Sequence, residues 1–445
     1  MDAVQNGATR RAAQRALAIG VAPGQLDLSE LRELLRTAGV AVTGELVQRR
    51  ERPDPDRYFG RGKLAELKRA AKEADANLIA VDDELLPRQE RNLEEELGIP
   101  VIDRTAIILD IFADHARSAE GKLQVELAQL EYNLARMRGL WTHLERLGAG
   151  RMDGGIGTRG PGESQIETDR RLARNRIAAL CRRLRDTKTT RATMRKERDR
   201  AGLPTVALAG YTNAGKSTLL NTMTGADVGV RERLFHTLDP TTRSFEISGR
   251  QYLLTDTVGF IRKLPHQLVE AFSATLEEAL GADLILHVVD ASVPEDELRQ
   301  MMLAVDEVLD EIGAGDTQRL LVLNKVDLLG ELRSGAGGAA PSRAVERRRE
   351  LSFRFPDAVQ VSGATGAGLD DLREAIEARF LATLKPMELL VPYREGGTLS
   401  ELHDLAGELE REDTAEGVRV RARVPAAAAP RFERFSQNGD GAGPA

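Results

Sequence analysis

Eight residues constrain this chain more than any others. Gly210-Tyr211-Thr212-Asn213-Ala214-Gly215-Lys216-Ser217 follows the apolar run Thr205–Ala209 and leads into Thr218-Leu219-Leu220-Asn221. The pattern is G-x-x-x-x-G-K-[ST] between a strand and a helix, the context in which a loop closes around phosphates. Its glycines let successive backbone N–H groups point inward. The helix N-terminus adds a favourable dipole. Lys216 is positioned to reach β- and γ-phosphate oxygens, and the Ser217 hydroxyl to ligate Mg²⁺. A strand–loop–helix of this kind belongs to a doubly wound, mostly parallel sheet. The fold expected over residues 203–384 is therefore an α/β P-loop domain.

Three further segments follow in order. Asp256-Thr257-Val258-Gly259 comes after the apolar strand Tyr252-Leu253-Leu254. An Asp at that strand end can hold a Mg²⁺ water, and a Gly just beyond it can donate its N–H to a γ-phosphate and so sense it. Asn324-Lys325-Val326-Asp327 follows the strand Leu320–Leu323. The Asp327 carboxylate can accept two N–H bonds from guanine N1 and N2, a pair adenine does not offer; Lys325 can lie over the base, and Asn324 braces the loop. Ser362-Gly363-Ala364, after Val359–Val361, can present backbone N–H to guanine O6. Each segment alone could be a turn at a strand end. Their order, each where a doubly wound sheet binds ligands, points to a guanine nucleotide. Between the phosphate loop and Asp256 lies Phe235-His236-Thr237-Leu238-Asp239. A loop there can close over the γ-phosphate, with Thr237 the candidate second metal ligand; alone, a Thr in a polar loop is a weak signal.

The remaining sequence surrounds this domain. Residues 1–15 read as a disordered tail. Over 16–115, short apolar runs alternate with helical patterns, which predicts an α/β domain with a largely parallel sheet. From 116 the character changes. Leu123, Leu127, Leu130, Leu134, Met137, Trp141 and Leu144 recur in steps of four and three, a coiled-coil seam. Ile166, Ala173, Ile177, Leu180 and Leu184 continue it in a second helix. An antiparallel helical hairpin over 116–200 is expected. Its tip, residues 148–162, carries seven Gly in fifteen residues together with Arg151 and Arg159. Such a tip is either a loose linker or a contact loop.

With 63 Lys+Arg against 70 Asp+Glu, the net charge of −7 excludes a wholly basic nucleic-acid coat protein. The basic residues are nonetheless local. Thirteen Lys/Arg lie between Arg170 and Arg200, opposed after Asp169 only by Asp186, Glu197 and Asp199. A solvated helix face is the bland alternative; the density favours a polyphosphate partner such as RNA, with Arg170, Arg171, Arg182 and Arg183 as contacts beside Arg151 and Arg159. Residues 331–349 read as an exposed insertion. Residues 387–436 read as a small βαβ-type domain with a helix at Leu399–Leu409, and 437–445 as a flexible end. One cysteine, Cys181, excludes an intramolecular disulfide framework, and the six His show no zinc spacing. No apolar run approaches the roughly 18–20 residues of a membrane span, so a cytoplasmic monomer is expected.

These motifs resemble the HflX family of GTPases, within the larger Obg-HflX group. The resemblance extends to Arg52-Pro53-Asp54-Pro55, Tyr58-Phe59-Gly60-Arg61-Gly62-Lys63, Arg91-Asn92-Leu93-Glu94 and Val101-Ile102-Asp103-Arg104-Thr105. It continues through Leu123–Leu130 and Gly154-Gly155-Ile156-Gly157-Thr158-Arg159-Gly160-Pro161-Gly162-Glu163, and covers about Ala16 to Phe435. It implies a Mg²⁺-dependent GTP hydrolase, with Thr237 as the switch metal ligand. It also implies a factor that binds the 50S subunit and its rRNA and separates stalled 70S ribosomes under stress. A ribosome-assembly GTPase and a slow GTP-switched binding module stay open as alternatives. One residue departs from the common GTPase pattern: Phe260 follows Gly259 where many carry Gln to orient the attacking water. Lys216, Thr237 and Gly259 are then the catalytic candidates.

Overall fold

The computed structural model describes residues 14–137, 161–200, 203–226, 234–235, 240–263, 268, 281–331, 341–406, 409–425 and 428–436. The chain divides into two compact units. One comprises Met1–Thr190, Val230–Asp239 and Val258–Glu277; the other comprises Arg191–Gly229, Pro240–Thr257 and Glu278–Ala445.

The first unit opens with β1 (Arg15–Ala22), whose central residues are all buried, as a strand flanked on both sides requires. It continues through α1 (Ser29–Thr37), β2 (Ala41–Arg49), α2 (Arg61–Glu73), β3 (Leu78–Val81), α3 (Pro87–Leu97), β4 (Val101–Asp103) and α4 (Arg104–His115). The four strands lie in the order β2-β1-β3-β4, every pair parallel. Leu17, Ile19, Val21, Ile79, Val81 and Val101 pack with Leu64 and Leu67 of α2 and Leu93 and Leu97 of α3.

Arg15 is not part of a disordered tail. Its N–H donates to Asn77 Oδ1 at 2.7 Å and its guanidinium to the Asp75 carbonyl at 2.8 Å, which secures the start of the strand.

Two long helices follow, α5 (Ala119–Arg136) and α6 (Pro161–Arg200). One carboxylate fastens the first of them. Asp103 is fully buried; its Oδ1 caps α4 through Ala106 N–H (2.8 Å) and accepts from Tyr132 Oη (2.9 Å). Its Oδ2 accepts from Arg136 (2.6 Å) and from Leu85 N–H (3.0 Å). Arg136 also pairs with Glu90 at 2.7 Å and stacks 3.3 Å over the Tyr132 ring. The face of α5 that is buried only partly coincides with the seam the periodicity suggests, sharing Leu127. The buried face is Gly121, Gln124, Val125, Leu127, Ala128 and Tyr132, while Leu123, Leu130 and Leu134 are half-buried. On α6, Ala173 and Leu180 are buried and Arg176 pairs with Glu126 of α5 at 2.7 Å. Trp141, Leu144 and the glycines from 148 to 160 lie outside the described residues.

The second unit holds a six-stranded sheet in the order β10-β9-β8-β5-β7-β6. Its strands are β5 (Thr205–Gly210), β6 (Thr241–Ile247), β7 (Arg250–Asp256), β8 (Leu284–Asp290), β9 (Arg319–Asn324) and β10 (Val359–Gln360). Only β6 runs antiparallel to its neighbour. The helices are α7 (Lys216–Thr224), α8 (Glu295–Glu311), α9 (Pro341–Arg354) and α10 (Leu369–Thr383).

Beyond them, β11 (Lys385–Val391), α11 (Gly396–Leu405), β12 (Leu409–Asp413) and β13 (Val418–Val424) form a three-stranded sheet. Both pairings are antiparallel, so this is not a parallel βαβ crossover. Leu409 begins a strand opposite Ala422 rather than ending a helix. Alternation explains this: Val418, Val420, Ala422 and Val424 face one core, and β12 covers the open edge of β13.

His287 is 4% exposed in the middle of β8. Burial, aided by the nearby Arg319 and Lys216 charges, depresses its imidazolium to about 4. Asp306 lies 3.8 Å away but is already held by Arg319 at 2.6 Å, so it does not retain a proton on His287. The folded value lies below the unfolded one, so the unfolded chain binds the extra proton and stability falls as pH drops from 6.5 toward 4. Between pH 7 and 5 this group removes about 2 kcal/mol. Urea unfolding of the wild type and of His287→Gln at both pH values should show a shallower pH dependence in the variant; equal slopes would contradict this account.

Candidate functional site

The phosphate loop is built where β5 ends. Thr212 is buried and Asn213 exposed, with a left-handed φ of 61° at Asn213 and 91° at Gly215. Two glycines are obligatory for different reasons. A Cβ on Gly210 would lie 2.2 Å from the Val288 carbonyl oxygen of β8. A Cβ on Gly215 would lie 2.3 Å from Asn324 Nδ2, on a backbone that disfavours side chains in any case. The loop thus runs tightly against β8 and the Asn324 turn.

Lys216 opens α7 and is 6% exposed. Its ammonium donates back to the carbonyls of Gly210 (2.9 Å) and Tyr211 (3.0 Å). Burial pulls it down to about 8, opposed in part by the Asp256 carboxylate. Ser217 Oγ donates to Asp256 Oδ2 at 2.6 Å, which brings the two metal candidates of this unit together. Thr257 Oγ donates to the Leu208 carbonyl at 2.7 Å, tying the end of β7 to β5. Hydroxyl and carboxylate oxygens side by side are the hard donors that Mg²⁺ takes.

The two segments expected to meet the base come together at Asn324, which is 2% exposed. Its Nδ2 donates to the Ala214 carbonyl at 2.8 Å and its Oδ1 accepts from Gly363 N–H at 2.9 Å. One amide therefore joins the phosphate loop to the Ser362-Gly363-Ala364 loop. Val326 N–H donates to the Val361 carbonyl at 3.2 Å, and Thr222 Oγ on α7 to the Gly363 carbonyl at 2.6 Å. Ser362 is fully buried, and its Oγ accepts from Thr365 N–H at 3.1 Å. Asp327 is exposed at the start of a 3-10 turn, so its carboxylate is open to a base. Lys325 has φ 63° and pairs with Asp290 Oδ2 at 2.7 Å. Asp290 escaped sequence reasoning, although an Asp ending an apolar strand, Leu284–Asp290, is the signal that could have found it. Its Oδ1 also accepts from Ser292 Oγ at 2.6 Å.

The other expected residues fall elsewhere. Val258 and Gly259 belong to the first unit, and so does Phe235. The Phe235 ring is 2% exposed and meets Phe112 of α4 edge to face at 4.6 Å, so its side chain serves a core rather than a nucleotide. His236, Thr237, Leu238 and Asp239 lie outside the described residues, as do Arg151 and Arg159. Arg171, Arg182 and Arg183 are exposed on α6, and Arg170 is half-buried.

Three family models match consecutive stretches of the chain. They are described as GTP-binding GTPase N-terminal (residues 25–113), GTP-binding GTPase Middle Region (115–198) and 50S ribosome-binding GTPase (205–325). A protein of Caldanaerobacter subterraneus subsp. tengcongensis named GTPase HflX is 44% identical over 426 residues, 95% of this chain and 94% of its own. The GTPase HflX of Escherichia coli K12 is 43% identical over 402 residues, 90% of each chain. Among solved structures, a GTP-binding protein of Sulfolobus solfataricus in complex with GDP is 26% identical, with 82% of this chain and 98% of that chain covered and a TM-score of 0.40. With identity above two-fifths over nine-tenths of the length, this chain belongs to the HflX family of GTPases.

Proposed function

We propose that this protein binds GTP with Mg²⁺, hydrolyses it, and uses the cycle to act on the 50S ribosomal subunit, separating 70S ribosomes into subunits. The observation that carries the nucleotide half is the Asn324 bridge, which holds phosphate-binding and base-reading loops in one register. The ribosomal half is supported by the family model described as 50S ribosome-binding GTPase and by the exposed arginines of α6.

In this reading the amides of Gly210–Ser217 and the Lys216 ammonium grip the β- and γ-phosphates. Ser217, and Asp256 through a water, would hold Mg²⁺, with Thr237 as a further ligand. When bound, the metal neutralises charge on the phosphate oxygens. Lys216 stabilises the negative charge that develops as water attacks the γ-phosphorus in line, and the Gly259 N–H meets a γ-phosphate oxygen. Asp327 accepts from guanine N1 and N2, Lys325 covers the base, and the Ser362–Ala364 backbone meets O6.

Phe260 bears on the rate. Its side chain is 1% exposed and has no group that can hydrogen-bond water. The free protein is therefore slow, and a group contributed by the ribosome completes the site; such help in trans is worth about 10³–10⁵ in rate. A free-protein rate as high as the ribosome-bound rate would overturn this.

Sedimentation of 70S ribosomes with the protein and a non-hydrolysable GTP analogue tests the whole reading: subunits should separate, and intact 70S peaks would refute splitting. Asp327→Asn should cost GTP affinity by about 10⁴-fold and admit xanthosine triphosphate; wild-type protein that bound ATP as tightly as GTP would refute the base-reading role. Reversing Arg182, Arg183 and Arg185 to Glu should lower 50S affinity and reduce its log–log salt slope by about two. GTP affinity should hold, and an unchanged slope would return these residues to a solvated face.

A further inference from the structure

Asp256 and Gly259 belong to one four-residue motif, yet they fall in different units. The nucleotide-binding unit keeps the chain through Thr257, and Val258–Glu277 belongs to the amino-terminal unit. Charge holds the returning segment there. Arg262 Nε donates to Glu30 Oε2 at 2.9 Å. The Arg262 carbonyl accepts from Arg104 at 3.0 Å. The Lys263 ammonium reaches the Asp83 carboxylate and the Asp82 carbonyl. Beneath them Arg104, with a side chain 3% exposed, bridges Asp82 at 2.8 Å and Glu30 at 2.9 Å. Lys263 itself sits at φ 54°, a conformation that a non-glycine residue keeps only when its surroundings impose it.

The location adds to the argument. In the order β2-β1-β3-β4 the winding reverses between β1 and β3. Open α/β sheets take ligands in the crevice outside the carboxyl ends of the strands at such a reversal. Asp82 directly follows β3, and its N–H donates to the Ile19 carbonyl of β1 at 2.9 Å. Here the acidic residues Asp82, Asp83 and Glu30 are met by the chain's own Arg262-Lys263 pair. Arg104, Asp82 and Glu30 form the buried part of this network, where removing one partner leaves a buried charge uncompensated, while Arg262 and Lys263 join it from the surface.

We propose that Arg104 is a positioning residue of the nucleotide cycle: with Asp82 and Glu30 it docks Arg262 and Lys263, so that the phosphate state met at Gly259 is passed to the amino-terminal sheet. Any difference between GTP and GDP in their contacts with the segment after Asp256 must then bias the network. By reciprocity, the network must bias the relative affinity of the two nucleotides. The inference needs a guanine nucleotide and no ribosome, so its failure would leave the ribosomal reading untouched.

The test uses the full chain with Mg²⁺ and either GDP or a non-hydrolysable GTP analogue. Arg262 and Lys263 are chosen because their side chains are 41% and 49% exposed and tolerate truncation, whereas a change at Arg104 could prevent folding. In the wild type, amide exchange over Ser29–Thr37 and Leu78–Leu86 should differ at least threefold between the two nucleotides. The double variant Arg262→Ala, Lys263→Ala should erase that difference. Calorimetry should then show the analogue affinity shifted at least fivefold with GDP affinity held within twofold. A weaker analogue identifies the docked arrangement as the triphosphate one, a tighter analogue as the diphosphate one. Arg262→Lys with Lys263→Arg should restore both readouts. Equal exchange with both nucleotides in the wild type, or a variant that shifts both affinities alike or neither, overturns the proposal. A purely structural role predicts that last result.

Discussion

Close approach of the phosphate-loop backbone to its neighbours is the constraint on which the nucleotide-binding unit rests. Gly210 lies so near the Val288 carbonyl, and Gly215 so near Asn324, that neither position admits a single further carbon. Everything else in the site follows from that proximity. One side of the loop is pressed onto β8, and Asn324 can reach the Ala214 carbonyl only because Gly215 leaves room. The site is thus mostly main chain, held by one buried side-chain amide. Its specificity cannot be tuned piecemeal, since the phosphate loop and the Gly363 loop share that amide.

Much of this was legible in the order of residues. The phosphate loop, the Asp at the end of β7, the Asn324–Asp327 turn and the Ser362 loop each sit at the carboxyl end of an apolar run that reads as a strand. Local chemistry decides such features, so local sequence carries them. What escaped are pairings between residues far apart. Nothing near Lys325 announces Asp290, thirty-five positions earlier. Of the expected seam on α5 only Leu127 is buried, beside Gln124, Val125, Ala128 and Tyr132, because heptad spacing cannot register the contacts of Tyr132 and Arg136 with Asp103. Strand β12, LERED, hides because four of its five residues are charged and exposed, as suits an edge. Phe235 reads as a loop residue beside a metal ligand, and only the edge-to-face contact with Phe112 reveals its place in a core.

The two units use charge differently. Among the described residues of the nucleotide-binding unit the buried ionic groups are Lys216 and Asp256, which are held by loop carbonyls and by Ser217 rather than by each other. In the amino-terminal unit buried charges face one another, around Asp103 and around Arg104. The carboxylates at the two centres, Asp82 and Asp103, stand at the carboxyl ends of β3 and β4, the edge that in the other unit carries the candidate nucleotide loops. The same architectural edge serves recognition in one sheet and internal fastening in the other.

The Asp103 junction has a mechanical meaning. Four donors converge on this carboxylate, two from side chains of α5 and two from the backbone beside α3 and α4. The helix is therefore welded near its distal end, not hinged at its first turn. A force applied along α5 would be delivered at Arg136 straight into the last strand of the sheet, with little compliance on the way.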